Sequence, residues 1–124
     1  MVNCLFHNNR RQDGTLADIS GTTTEGVIAL TNCLWGADDE TIPWIGTGNI
    51  TCPDPKFVAD AANARGAPYY SLRHASPARD AGLSQAWMSD AYDLGGTNRI
   101  IGASVDIGCY ESFLPMAGFI LSFR

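Results

Sequence analysis

Apolar residues fall along this chain in short bursts rather than in helical stripes. VNCLF (2–6), VIALTNCLW (27–35), an island at 42–45 and VDIGC (105–109) are short and separated by stretches rich in Gly, Asp, Asn, Ser and Thr. Bursts of that length, bounded by turn residues, predict short strands. VIALTNCLW, rich in β-branched and apolar residues and closed by Gly26 and Gly36, predicts the best-defined strand, and 69–72 a further short one. The intervening polar stretches predict excursions: 10–26 carries turn pairs at Asp13-Gly14 and Glu25-Gly26, and 36–49 is equally rich in turn residues. PDPKF (53–57), with its flanking prolines, reads as a turn leaving the strand region.

The strand phrases echo one another. VNCLF and TNCLW (31–35) share Asn-Cys-Leu-aromatic, and GNITC (48–52) is a looser third copy. A period of about thirty residues between the first two suggests one supersecondary unit per repeat. Stacking at the ~4.8 Å inter-strand spacing would place Asn3 on Asn32, with a ladder between their side-chain amides. Cys4 would stack on Cys33, within disulfide reach by backbone distance, while Leu5 and Leu34 point the opposite way.

Beyond Cys52 the echo stops. In SPARDAG (76–82), Ser76 suits a helix N-cap, Pro77 the first helical position, and Gly82 a left-handed exit. The phrase therefore predicts a single helical turn. A second short helix is expected over 84–91, turning Trp87 and Tyr92 inward. DLGGTNR (93–99) predicts a tight turn. RIIGASVDIGCYE (99–111) predicts two strand fragments, the last with Val105, Ile107 and Cys109 on one face and Asp106 and Tyr110 on the other.

Composition narrows the classes. A chain of 124 residues, 45% hydrophobic, makes one modest domain with a real core. A net charge of −5 argues against nucleic acid and anionic membranes as partners, because both require a basic surface. No run approaches the ~20 apolar residues of a membrane span, and the first residues do not read as a signal peptide. The cysteines Cys4, Cys33, Cys52 and Cys109 form no CxxC pair, and His7 and His74 are the only histidines, so a zinc site of the usual spacing is not expected. Free, buried thiols are favoured over disulfides.

Taken in order, DPKFV, YYSL, SPARDAG, DLGGTNR and VDIGCYE resemble the C-terminal region of secreted right-handed parallel β-helix proteins. These carry a "choice-of-anchor Q" domain, within the pectate-lyase-like superfamily. The resemblance runs from Asp54 to Glu111, and the Asn-Cys-Leu echoes look like its preceding rungs. Cys109 departs from it, standing where a small residue is usual, and the loops around Arg10 and Asp38 are not diagnostic. The resemblance implies an all-β fold: two to three β-helix rungs over 1–57, a capping region with one or two helical turns over 58–112, and a terminal strand or vestigial anchor over 113–124. It also implies an extracellular or cell-surface protein, with N-terminal rungs and an export signal that this sequence does not contain. The open coil end is then expected either to self-associate or to continue into those rungs.

Two functions fit this outline. One is a non-catalytic cap and display module in contact with polysaccharide or a cell-surface glycan. The other is the C-terminal part of a β-helix polysaccharide lyase or glycoside hydrolase whose catalytic rungs lie upstream. No catalytic, cofactor or metal residue is assigned in the chain. Asp80, Arg99 and Asp106, charged positions within the phrases, are expected to form a clasp, because the arginine fork can bond a carboxylate bidentately. The competing reading joins them with Asp93 as an acid/base or calcium site, and Asp38, Asp39 and Glu40 offer further carboxylates for calcium. Arg10, Arg11 and Asp13 are the only local set resembling a lyase centre. Trp35 and Trp44, with Arg10 and Arg11, are candidate carbohydrate contacts, against a bland reading in which the indoles pack. LPMAG (114–118) resembles a cell-wall sorting phrase, but Ala117 replaces the threonine and the apolar run after it is too short to span. A terminal strand packed on the cap is the favoured reading of this tail.

Overall fold

The structure is a computed structural model describing residues 1–19, 27–37, 44–58 and 70–112. The sorting-like tail and the Asp38, Asp39 and Glu40 carboxylates lie outside the described residues. What is described is mostly irregular chain with very short strands, all-β in character. The pairings form small two-stranded sheets and isolated bridges that do not close into a solenoid.

Among the described residues there are four strands: β1 (Ile28–Ala29), β2 (Leu34–Trp35), β3 (Trp44–Ile45) and β4 (Ile50–Thr51). β1 pairs with β3 and β2 with β4, both parallel and at one constant shift: Ile28 faces Trp44, and Leu34 faces Ile50. The first phrase joins by parallel bridges from Val2 to Thr31 and from Leu5 to Leu34, again at a single shift. The three segments therefore lie side by side, but the third is offset by one residue from its sequence match: Gly48, and not Asn49, stands at the position of Asn3 and Asn32.

That position explains why VIALTNCLW is not one strand. Asn32 has φ 49°, Asn3 φ 55° and Gly48 φ 71°. A left-handed residue ends extended structure, and Asn and Gly are the residues that occupy this region most readily. Each echo thus bends at the same point, which splits the second into β1 and β2. Hydrogen bonds cross the bend, from Asn32 N–H to the Thr47 carbonyl at 3.0 Å and from Leu30 N–H to the Ile45 carbonyl at 2.9 Å.

Two small cores result. Leu30, Cys33, Trp35 and Ile19 form one, with Cys4, Phe6 and Ile28 against it. Leu34, Leu72, Ala78 and Ile107 form the other, joined by Leu5, Ile50, Cys52 and Phe57. The alternation expected for Leu5 and Leu34 against the cysteines is thus observed, since the two sets serve different cores. Over residues 10–16 the excursion is a small hairpin, Arg10 bridging Leu16 around Asp13-Gly14. Asp18 fastens it by accepting the N–H groups of Gly36 (2.8 Å), Ala37 (3.1 Å) and Asn9 (2.9 Å).

The remainder corrects several expectations. Trp87 and Tyr92 do not turn inward: they are 62% and 70% exposed, while Met88 is the buried residue of the 3-10 helix Ala86–Asp90. A 3-10 turn has three residues per turn, so only one side chain of this short piece reaches the core. Of the strand expected over 69–72, residue 69 lies outside the described residues and 70–72 carry only an antiparallel bridge between Leu72 and Phe57. Residues 99–111 contain no strand. Val105, Asp106 and Ile107 are consecutively buried and Cys109 is exposed, because Gly108 (φ 122°) breaks the alternation. The tight turn at 93–97 is present: Asp93 N–H donates to Thr97 carbonyl at 2.8 Å, and Tyr92 bridges Asn98.

Candidate functional site

SPARDAG and VDIGCYE meet. Ile107 N–H donates to the Ala78 carbonyl at 2.8 Å, and Gly82 N–H to the Val105 carbonyl at 2.8 Å. Ser76 caps its turn as its residue type predicts, Oγ accepting the Ala78 N–H at 3.2 Å while donating to the Pro55 carbonyl at 2.6 Å. The left-handed exit, however, falls on Asp80 (φ 52°) and not on Gly82. Gly82 is required for space: a Cβ there would stand 2.6 Å from the Val105 carbonyl oxygen.

Around this junction the chain is held by carboxylates that receive backbone N–H groups. Asp106, almost fully buried, accepts Asp80 N–H at 2.7 Å on one oxygen. Its other oxygen accepts Ser112 N–H at 2.7 Å and the Ser112 hydroxyl at 2.5 Å. Asp93 accepts Thr97 N–H and Glu111 N–H, both at 2.8 Å. Glu111 Oε1 accepts both Asp106 N–H at 3.0 Å and Arg99 Nη1 at 2.8 Å. Irregular backbone cannot satisfy its own donors through a ladder, and the carboxylates take that role.

The expected clasp is therefore corrected in its partners. Arg99 pairs with Glu111, their side chains only 12% and 1% exposed, and its Nη2 donates to the Gly108 carbonyl at 2.7 Å. Neither Asp80 nor Asp106 is its ion-pair partner. Asp80 uses its own carboxylate on Ser104 N–H at 3.3 Å, at the surface. Arg79, also unassigned from sequence, donates Nε to Ser112 Oγ at 2.7 Å and contacts the His74 ring. Glu111 ends the VDIGCYE phrase and so was legible as a charged member of it. Nothing in its spacing indicated that it, and not Asp106, would face Arg99.

Electrostatics follow the geometry. Burial, followed by the nearby charges of Asp106 and Asp93, pushes the Glu111 carboxyl up to about 7 against the pull of Arg99 and the Asp106 N–H. Burial alone would also raise Asp93, but the N–H groups of Glu111 and Thr97 outweigh it and hold that carboxyl below the ordinary range. Each Asp106 oxygen accepts from a protein donor, so this carboxylate serves to hold the chain. Among the described residues no group of three His, Cys, Asp or Glu side chains is arranged to hold a metal ion.

The remaining sequence candidates are scattered. Trp35 is fully buried and cannot stack on a sugar; Trp44, partly exposed, meets it edge-on with ring centroids 5.2 Å apart. The packing reading holds for Trp35. Arg10 reaches the Gly14 carbonyl at 2.8 Å within its own hairpin, and Arg11 is exposed there. All four cysteines are free, but only Cys33 is buried; Cys4 and Cys52 are half-buried and Cys109 is exposed. Burial and the neighbouring Cys33 thiol push the Cys4 thiol up, as stacking of the first two echoes requires.

The asparagine ladder is replaced by contacts to the cap. Asn3 Nδ2 donates to the Leu83 carbonyl at 3.0 Å and its Oδ1 accepts Leu83 N–H at 2.6 Å. Asn32 Nδ2 donates to the Ala81 carbonyl at 2.9 Å. At these left-handed corners each amide meets the backbone of residues 81–83.

No known protein family, curated protein or solved structure matches this chain. No helix among the described residues is long and apolar enough to cross a membrane.

Proposed function

We propose that this chain is a non-catalytic cap module, the C-terminal closure of a right-handed parallel β-helix of the choice-of-anchor Q type. It belongs to an exported or cell-surface protein in contact with glycan. The observation that carries this reading is the parallel pairing of three successive segments, with left-handed corners in line at Asn3, Asn32 and Gly48. A constant shift with corners in line is the local geometry of a coil, in which each turn of chain lies on the last. The corner amides bonded to 81–83 support a cap seated on that coil.

The reading includes a partner for the first echo. Among the described residues Leu5 bridges only Leu34, and apart from the Gly108 N–H that donates to the Asn3 carbonyl at 3.1 Å no other described strand pairs with its segment. An open edge is a pairing surface, filled by an upstream rung or by a second copy. Immunoblotting of fractionated source cells tests the proposal. We expect a product much larger than 13.3 kDa in the surface or secreted fraction. A product of that small size confined to the cytosol would overturn it.

A further inference from the structure

We propose that the hollow lined by His7, Lys56, Phe57, Tyr70 and Arg73 binds a sugar carrying a tetrahedral oxyanion ester, a sulfate or a phosphate. The sugar half of this assignment rests on the surface-module reading; the oxyanion half rests on the hollow alone.

The charge distribution singles out the hollow, a cleft of about 740 Å³. Most arginines of the described residues are already engaged: Arg10 with Gly14, Arg79 with Ser112 and His74, Arg99 with Glu111, and Arg11 with a partner of its own. The Lys56 and Arg73 side chains have no hydrogen-bond or ion-pair partner among the described residues, and both line this one hollow. The backbone sets them opposite each other. Flanking the Phe57–Leu72 bridge, Arg73 N–H donates to the Lys56 carbonyl at 2.8 Å and Val58 N–H to the Ser71 carbonyl at 2.7 Å. Like charges facing across an antiparallel pair repel, and an anion between them turns that repulsion into attraction. In a chain of net charge −5, two cations without an ion-pair partner among the described residues thus stand at one place.

Three features shape the ligand. Arg73, Lys56 and His7 supply donors from three residues, which suits the three terminal oxygens of a sulfate or phosphate ester better than the two of a carboxylate. Phe57 meets Tyr70 edge-on at 5.6 Å and His7 at 5.5 Å, forming an aromatic wall of which Tyr70 is 55% exposed. An exposed tyrosine beside a cationic cleft offers an amphipathic face for a sugar ring. Asp54 is the one carboxylate in the lining, and its Oδ1 accepts Lys56 N–H at 2.8 Å. It would repel a bare anion while its other oxygen can accept a sugar hydroxyl, so it selects the ester over the inorganic ion.

Isothermal titration of the full chain with glucose 6-sulfate, glucose 6-phosphate, glucuronate, glucose, phenyl sulfate and inorganic sulfate tests this. One or both sugar esters should bind about tenfold or more tightly than the other four, a difference of about 1.4 kcal/mol. The preferred ester names the source of the oxyanion. Arg73→Gln and Lys56→Gln should each weaken that binding about tenfold, and Tyr70→Ala should weaken it while leaving phenyl sulfate unaffected, with thermal melting checked for each variant. The proposal is overturned if neither ester binds, if glucuronate, phenyl sulfate or inorganic sulfate binds as well as the esters, or if Arg73→Gln melts normally and binds unchanged. Because none of these readouts depends on cell fractionation, this proposal and the surface-module reading can fail separately.

Discussion

The stack of echoes and the cap solve one problem by opposite means. In the stack, most backbone donors and acceptors meet each other at a constant shift, with Asp18 and Asn49 serving the few left over, and apolar side chains repeat: Leu5, Leu34 and Ile50 occupy equivalent places in one core. In the cap, residues 76–112 form no named strand, and Asp93, Asp106 and Glu111 take up N–H groups that no ladder would pair. Repetition tolerates exchange of one apolar residue for another. A buried carboxylate with several donors does not, since its removal strands all of them together. The molecule's sensitivity to substitution should therefore be concentrated in the cap.

The sharpest test of that contrast is Asp106→Ala. It leaves three donors unmet in a buried place and should cost about 3–5 kcal/mol, measured by urea unfolding. A loss under about 1 kcal/mol, the value of one ordinary hydrogen bond, would show that the cap does not depend on its carboxylates. Arg99→Ala comes next, at about 2–4 kcal/mol, because Glu111 then sits buried without its cation. Lowering the pH should offset part of that loss by protonating Glu111.

Titration sharpens the comparison further, since the charges of Asp106 and Asp93 act on Glu111 within the cap. The folded-state value of Glu111 lies above its ordinary 4.5, so the folded form holds a proton that the unfolded form releases. Its contribution is complete below about pH 4.5 and lost as pH rises through about 7, by up to about 3 kcal/mol. Asp93 has the opposite sign. Its contribution is present above its ordinary 3.8 and lost as pH falls through its lowered folded value. Stability should consequently peak near pH 4–5 and decline toward neutrality. Glu111→Gln should flatten the neutral side of that profile, and a wild-type profile level from pH 4.5 to 7 would refute the assignment.

Smaller effects belong to the seam and the surface. Asn32→Ala removes one amide bond to the Ala81 carbonyl and places alanine at φ 49°, for a loss of about 1–2 kcal/mol. Asn32→Gly removes the bond but relieves the backbone, so the difference between the two variants isolates the corner. Trp87→Ser, at an exposed position, should stay within about 0.5 kcal/mol of wild type by thermal melting.

Much of this was readable from residue types alone. The repeated Asn-Cys-Leu-aromatic phrase told which residues of the first two segments lie beside which, but the third, paired one residue away from its looser sequence match, was not readable in this way. Ser76 announced its cap and Asp13-Gly14 its turn, since both depend on neighbours only a few residues away. The all-β character followed from bursts too short and too irregular to form helices. The partners of long side chains were not readable in this way. Whether Arg99 met Asp106 or Glu111, whether Asn3 bonded Asn32 or Leu83, and whether Trp87 or Met88 went inward were settled by folding. So was the need for Gly82, which arises from a carbonyl more than twenty residues along the chain. Local conformational preference and periodicity are properties of the sequence. Which donor reaches which acceptor depends on how distant segments are brought together, and only the tertiary structure supplies that.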